Sequence, residues 1–178
     1  MFRKVKSKTK ASRDSATVER KSNDFRITLS IDFSGKSDCR SGFPFLDSIL
    51  DFETPGVSVS KEGEPNRDLL ENIGLSFGEG MRKLMEKRGA KTYGTSIRSD
   101  GEINCMFAIN TKEEGQLNLQ ILGKPEGFDP DEFCTFLEAV SRGMRAEVNC
   151  VLNLGRTKKN HLQVISKAFG ESLKKMIG

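Results

Sequence analysis

Residues 77–85 read FGEGMRKLM, and residues 169–177 read FGESLKKMI. The two segments align at a constant offset of 92. Each lies in an apolar stripe at helical spacing: Leu70, Ile73, Phe77, Met81 and Leu84 in the first, Leu162, Ile165, Phe169, Leu173 and Met176 in the second. Asn66 is placed to cap the first helix, Gly89 closes it, and the second begins near residue 158. Working outward, each long helix follows a short strand, and that strand follows another helix. Phe25, Ile27, Leu29, Ile31 and Phe33 alternate strictly, and residues 16–21 pair with them as a hairpin through Asn23-Asp24. Residues 44–52 are a helix opening with Pro44, and Val57 and Val59 mark a strand.

The second copy repeats the plan. Ile103, Cys105, Phe107 and Ile109 alternate, as do Leu117, Leu119 and Ile121, then Val148, Cys150, Leu152 and Leu154. Asp129-Pro130-Asp131-Glu132 supplies an N-cap, Pro at N1 and Glu at N3 for a helix with Phe133, Phe136, Leu137, Val140 and Met144 on its buried stripe. The chain therefore reads as α+β, an internally duplicated strand–strand–helix–strand–helix unit with an extra strand in the second copy. Residues 13–90 form the first half and residues 91–178 the second. Residues 1–12 read as a basic flexible tail.

Composition narrows the classes. With 30% charged residues and no long apolar run, no spanning helix is expected. Twelve Phe argue against global disorder. Residues 1–21 carry a net charge of +6, leaving −2 for the remainder. A basic segment of this kind is suited to phosphate backbones, the alternative being a solvated, frayed terminus. Cys39, Cys105, Cys134 and Cys150 show no C-x-x-C spacing, and three of them fall at apolar positions. Met1 begins a polar stretch with no leader-like apolar run. Reduced thiols and a cytoplasmic location are expected.

The stretch SGFPFLDSIL at residues 41–50 resembles the T-G-(I)-(G/P)-F-(L/F)-D-H-M-L motif of the imidazoleglycerol-phosphate dehydratase family, itself an internal duplication. Ala16, Val18 and Arg20 resemble that family's opening AxVxR. Lys87-Arg88-Gly89 with Tyr93-Gly94, Gly127-Phe128-Asp129, and Ser166-Lys167-Ala168-Phe169 resemble three further family segments. The resemblance runs over residues 13–177, with a shortening near 51–56. It implies a fold of the ribosomal-protein-S5-domain-2 type, a role in histidine biosynthesis, a lyase reaction on a phosphorylated substrate, and trimers that join into a larger shell.

The resemblance also implies a site built on two manganese ions, held by an H-H-x-x-E segment on each long helix and by further histidines. Here the first segment is Arg67-Asp68-Leu69-Leu70-Glu71, which keeps only the carboxylate. The second is Lys159-Asn160-His161-Leu162-Gln163, which keeps no ligand. Ser48 replaces the histidine of the D-H-M motif, and Asn149 replaces the strand histidine. The chain has one histidine, His161, one position off register and turned about 100° away on a helix, which reads as a surface or capping residue. No metal cofactor is expected, and Arg67 and Lys159 place positive charge where metals would sit.

Other polar positions match the family. Asp24 and Glu102 stand at positions that the resemblance links to proton transfer, and Glu71 is the retained helix carboxylate. Lys167 matches a lysine that in the family binds substrate phosphate. Lys91 stands near a phosphate-binding arginine, and Lys112 is the nearest cation to a missing S-G-R-P. Independently of the resemblance, Gly155-Arg156-Thr157-Lys158-Lys159-Asn160 leads three cations into a helix start, which favours anions. Three functions remain open. One is a metal-deficient, dehydratase-like protein without dehydratase activity that self-associates as a trimer and binds a phosphorylated small molecule. A second is a metal-free lyase using Asp24, Glu71 and Glu102. The third is a nucleic-acid-binding or assembly protein using residues 1–21.

Overall fold

The computed structural model describes residues 4–52 and 54–178. The first half runs β1 (Lys6–Ala11), β2 (Ser15–Lys21), β3 (Arg26–Asp32), β4 (Asp38–Cys39), α1 (Pro44–Ile49), β5 (Gly56–Glu62) and α2 (Arg67–Arg88). The second runs β6 (Tyr93–Asp100), β7 (Ile103–Thr111), β8 (Gln116–Leu122), α3 (Pro130–Met144), β9 (Ala146–Asn153) and α4 (His161–Ile177). The strand orders are β1-β2-β3-β5-β4 and β6-β7-β9-β8. Removing β1 leaves two sheets of the same topology. In each, three pairings are made in the same sequence, and only the last (β4 with β5, β8 with β9) is parallel.

Two expectations are corrected. The extra strand belongs to the first half, not the second. The counterpart of β8 is the two-residue β4, too short to leave an alternating pattern. Residues 6–11 are also not a flexible tail: they pair along their whole length with β2, from Lys6 opposite Lys21 to Ala11 opposite Ala16. Their lysines hide the strand from a hydrophobicity reading, but Thr9 and Ala11 face inward, Ala11 packing on the core and Thr9 donating to Glu79 of α2. The part of the tail expectation at residues 1–3 lies outside the described residues.

The helices lie between the two sheets. α2 packs on β2 and β3, α4 on β6 and β7, α2 meets α3, and α1 meets α4. These four contacts are the pattern expected of a pseudo-twofold axis relating the halves. The buried side chains form one continuous cluster. At its centre Phe77 and Phe169, the first residues of the two FGE segments, lie 5.8 Å apart ring to ring, with Phe52, Phe107 and Phe136 around them.

The second residue of each segment explains the close helix packing. A Cβ on Gly78 would stand 2.4 Å from the Val140 carbonyl of α3, and one on Gly170 2.8 Å from the Phe52 ring. Gly143 returns the contact, lying against the Leu75 carbonyl. α2 is capped as read from the sequence: the Asn66 side chain accepts from the Leu69 N–H at 2.9 Å, and Gly89 turns left-handed at φ 61°. Asp129 caps α3, accepting from the Asp131 N–H at 2.7 Å.

Candidate functional site

A groove of about 1740 Å³ runs along the exposed flank of α4, between that helix, the edge strand β6 and the segment after α1. It exists because two covering elements are missing on that side. α1 has 6 residues where its counterpart α3 has 15, so α4 is less covered than α2. Among the described residues β6 also has no strand beyond it, whereas β2 carries β1.

Five residues singled out in the sequence line this groove: Ser48, Lys91, Asn160, Gln163 and Lys167. Ser48 sits at the exposed side of α1, its hydroxyl donating to the Pro44 carbonyl at 3.2 Å. Asn160 donates to Asp100 at 3.0 Å. Gln163 and Lys167, four apart, share the solvent face of α4.

Charge in the groove is unevenly satisfied. Arg98 on β6 pairs with Glu171 on α4, and Lys175 shares that carboxylate at 3.5 Å while donating to the Thr95 carbonyl at 3.0 Å. Lys91, Lys167 and Lys174 have no carboxylate within ion-pair distance among the described residues, and with Arg98 and Lys175 they outnumber the groove's carboxylates Asp51, Asp100 and Glu171, so the lining is positive on balance. Sequence reading missed Arg98, Glu171, Lys174 and Lys175. The signal was present in the repeat, since Glu171 is the third residue of the second FGE.

The remaining candidates lie elsewhere. Glu71 is held by Arg142 of α3 at 2.6 Å. Glu102, on the β6–β7 turn, accepts from the Arg156 N–H at 2.9 Å. Asp24 is exposed on the β2–β3 turn, its N–H donating to the Ser22 hydroxyl at 3.2 Å. These three carboxylates sit on separate elements, and none lines the groove. Lys112 is paired with Glu147, which holds that carboxyl below the usual range. Arg156 and Lys158 are exposed on the loop before α4 and do not line the groove. The Gly155 and Arg156 N–H groups of that loop donate to Asn153 and Glu102, so two of its donors are already engaged.

The positions that the resemblance links to metal are likewise dispersed. Arg67 and Asp68 are exposed at the first turn of α2, and Lys159 is exposed before α4. Asn149 projects from the sheet face away from the helices, accepting from Asn118 at 2.8 Å and donating to Glu147 at 3.1 Å. Among the described residues no group of three or more His, Cys, Asp or Glu side chains is placed to hold a metal ion. His161 is not a surface residue: it is 2% exposed. Its Nδ1 accepts from the Glu126 N–H at 3.1 Å and its Nε2 donates to the Thr157 carbonyl at 2.7 Å, tying two loops together. All four cysteines are free, with Cys105 and Cys150 buried in the second sheet. No described helix is long and apolar enough to cross a membrane.

A duplicated α+β sandwich with helices inside and a cation-lined groove on one long helix defines the class. No protein-family model matches the chain. It is 25% identical over 175 residues to the imidazoleglycerol-phosphate dehydratase of Bacillus velezensis, covering 92% of this chain and 89% of that protein. To the enzyme of Hydrogenovibrio crunogenus it is 26% identical over 172 residues, at 89% and 88% coverage. The solved dehydratase of Staphylococcus aureus superposes with a TM-score of 0.72 at 19% identity, covering 98% of this chain and 99% of that one. That of Pyrococcus furiosus gives 0.69 at 18% identity, with 89% and 90% covered. The chain is thus similar over about nine-tenths of its length to imidazoleglycerol-phosphate dehydratases and has their fold.

Proposed function

We propose that this chain is a dehydratase-like protein of the histidine-biosynthesis family that has lost the dimanganese centre, does not dehydrate imidazoleglycerol phosphate, and binds a phosphorylated small molecule in the α4 groove. One observation carries the reading. Lys91 and Lys167 line the same groove as Ser48, Asn160 and Gln163, so cations suited to a phosphate stand beside three positions where the family has imidazole or carboxylate ligands. The residues present do not fit manganese. A hydroxyl and two amides are neutral, weak donors, Glu71 is spent on Arg142, and both nitrogens of the one histidine are engaged. No chemical step is therefore routed through a metal.

Self-association as a trimer belongs to the same proposal. Ile97, Met106 and Val151 stand side by side across three strands on the outer face of the second sheet, with exposed Tyr93 and Leu122 farther along that face, and such apolar positions favour contact with another copy. A nucleic-acid reading has one favourable observation. Lys6, Lys21 and Arg26 stand side by side across three strands, with Lys8 and Lys10 on the same exposed face. The lyase reading has none, because its three carboxylates do not converge.

The test combines elemental analysis, thermal unfolding and calorimetric titration with inorganic phosphate. The expected result is less than one transition metal per chain, no rise in melting temperature with manganese, and phosphate binding that Lys167→Glu abolishes. Stoichiometric manganese, or phosphate binding indifferent to Lys167, refutes the proposal.

A further inference from the structure

The two FGE glutamates mark the same feature seen twice. Glu79 on α2 pairs with Arg20 on β2 at 2.8 Å, and Glu171 on α4 pairs with Arg98 on β6. Their surroundings differ. β1 lies over the first pair, with the Thr9 hydroxyl donating to Glu79 and six residues in antiparallel register with β2. The side chains of Arg20 and Glu79 are 15% and 19% exposed. No strand of the described residues lies over the second pair, whose side chains are 49% and 28% exposed. The groove along α4 is thus the space that β1 fills in the first half.

The uncovered edge is equipped for pairing. The Thr92 carbonyl bonds back to β7 through the Thr111 N–H, and the pattern alternates along an antiparallel strand. The backbone groups of Tyr93, Thr95, Ile97 and Ser99 therefore point outward. One of them, the Thr95 carbonyl, is held by Lys175, a flexible side chain that an incoming N–H would displace. A lysine on an edge also discourages indiscriminate pairing.

We propose that the β6 edge receives an extended acidic segment of a partner protein, which adds antiparallel to β6 as β1 adds to β2. β1 itself gives the geometry: about six residues, with a Ser or Thr where Thr9 stands so that its hydroxyl reaches Glu171. Charge decides the occupant. Lys91, Lys167 and Lys174 flank the edge without carboxylate partners, and although Asp51, Asp100 and Glu171 line the same groove the balance with Arg98 and Lys175 is positive, which attracts acidic side chains. The β1 strand of a second copy brings Lys6, Lys8 and Lys10 and is repelled. Backbone hydrogen bonds supply the affinity and the flanking charges the selectivity.

The probe is the blocked peptide ESETEA, which is β1 with its lysines replaced by glutamate, titrated into the isotope-labelled full chain at millimolar concentration. The amide signals of Thr95, Ile97 and Ser99 should shift and gain protection from hydrogen exchange. The Ser12 N–H bonds the Ser15 carbonyl, so Lys6, Lys8 and Lys10 turn their N–H groups to β2. ESETEA N-methylated at its third residue, the Lys8 position, loses one such donor and should bind roughly tenfold more weakly. The native-sequence peptide KSKTKA should not bind. The exposed double variant Lys167→Glu with Lys174→Glu should lose ESETEA while keeping its melting temperature. Equal binding of the N-methylated peptide, or shifts confined to the α4 lysines, would reduce the contact to nonspecific charge and overturn the proposal. Protection of the edge amides without peptide, together with a doubled mass, would assign the edge to a second copy and overturn it as well. The phosphate titration above is a separate readout, so the small-anion reading fails or stands independently.

Discussion

Phe77 and Phe169 meet ring to ring at 5.8 Å, although 92 residues separate them in the chain. Each opens an FGE segment, and each residue of that segment does the same work in both halves. The Phe fills the shared centre, the Gly admits a neighbour at backbone distance, and the Glu fastens the helix to the arginine of a sheet strand.

Truncation at this centre should be costly. Phe169→Ala removes a fully buried ring that meets the rings of Phe52, Phe77 and Phe107, and should destabilise by about 3–5 kcal/mol in chemical unfolding. Gly78→Ala should cost about 2 kcal/mol or more, because its Cβ meets a helix backbone that cannot step aside. A loss below about 1 kcal/mol in either would mean that the helices pack less tightly than described.

The duplicated ion pairs should differ in their cost. Glu79→Gln leaves Arg20 mostly buried without its carboxylate, beside an Nε that already lacks a partner, and should cost about 2–3 kcal/mol. Glu171→Gln acts on a far more exposed pair and should cost under about 1 kcal/mol. Denaturant midpoints of the two variants decide this, and equal losses would contradict the asymmetry that β1 creates.

Catalysis and assembly should part company. Imidazoleglycerol phosphate should show no detectable turnover, since metal and electrostatic stabilisation of a developing carbanion is worth several kcal/mol and no residue here replaces it. Growth of a dehydratase-deficient histidine auxotroph on this chain would refute that. Light scattering should give a trimer whose mass is unchanged by chelator, because its contacts would be made by the apolar sheet face. Dissociation on chelation would show that metal bridges the copies.

Cys39 should be the slowest of the partly accessible thiols to alkylate. Burial, reinforced by Asp47, Asp51 and Asp38, pushes its pKa from 9.0 to about 12, and its Sγ donates to the Val57 carbonyl. Since the thiolate is the nucleophile, iodoacetamide near pH 8 should label Cys134 well before Cys39. The sign for stability follows. A thiol whose folded pKa is raised contributes stability that is complete below pH 9 and is lost as pH climbs from 9 towards 12. Mass spectrometry of tryptic peptides reads the labelling, and prompt modification of Cys39 in the native chain would contradict its burial.

The fold was legible wherever apolar residues recur at a helical or strand period. The stripe from Leu70 to Leu84 and the alternation from Ile103 to Ile109 are the α2 helix and the β7 strand, caps included. What escaped was structure held mainly by backbone pairing. β1 alternates lysine with Ser, Thr and Ala, and β4 is two residues long, so neither carries a hydrophobic signal. The groove was half legible. Lys167, Gln163 and Ser48 were found by resemblance, but Arg98 and Glu171 matter through a contact between strand and helix that no local pattern spells out. His161 was misread for the same reason, since its burial depends on loops around residues 126 and 157 that close over it only in three dimensions.

The contacts of Gly78 with α3 and of Gly170 with the segment after α1 are one contact written twice. A half-length chain carrying a single FGE helix would leave that helix face bare. It would regain cover by meeting the same face of an identical chain across a dyad passing between the two phenylalanine rings. Joining the two by the short span from Gly89 to Tyr93 turns such a homodimer into one polypeptide whose copies differ at their margins: one carries a six-residue selvage in β1, and among the described residues the other has a bare hem.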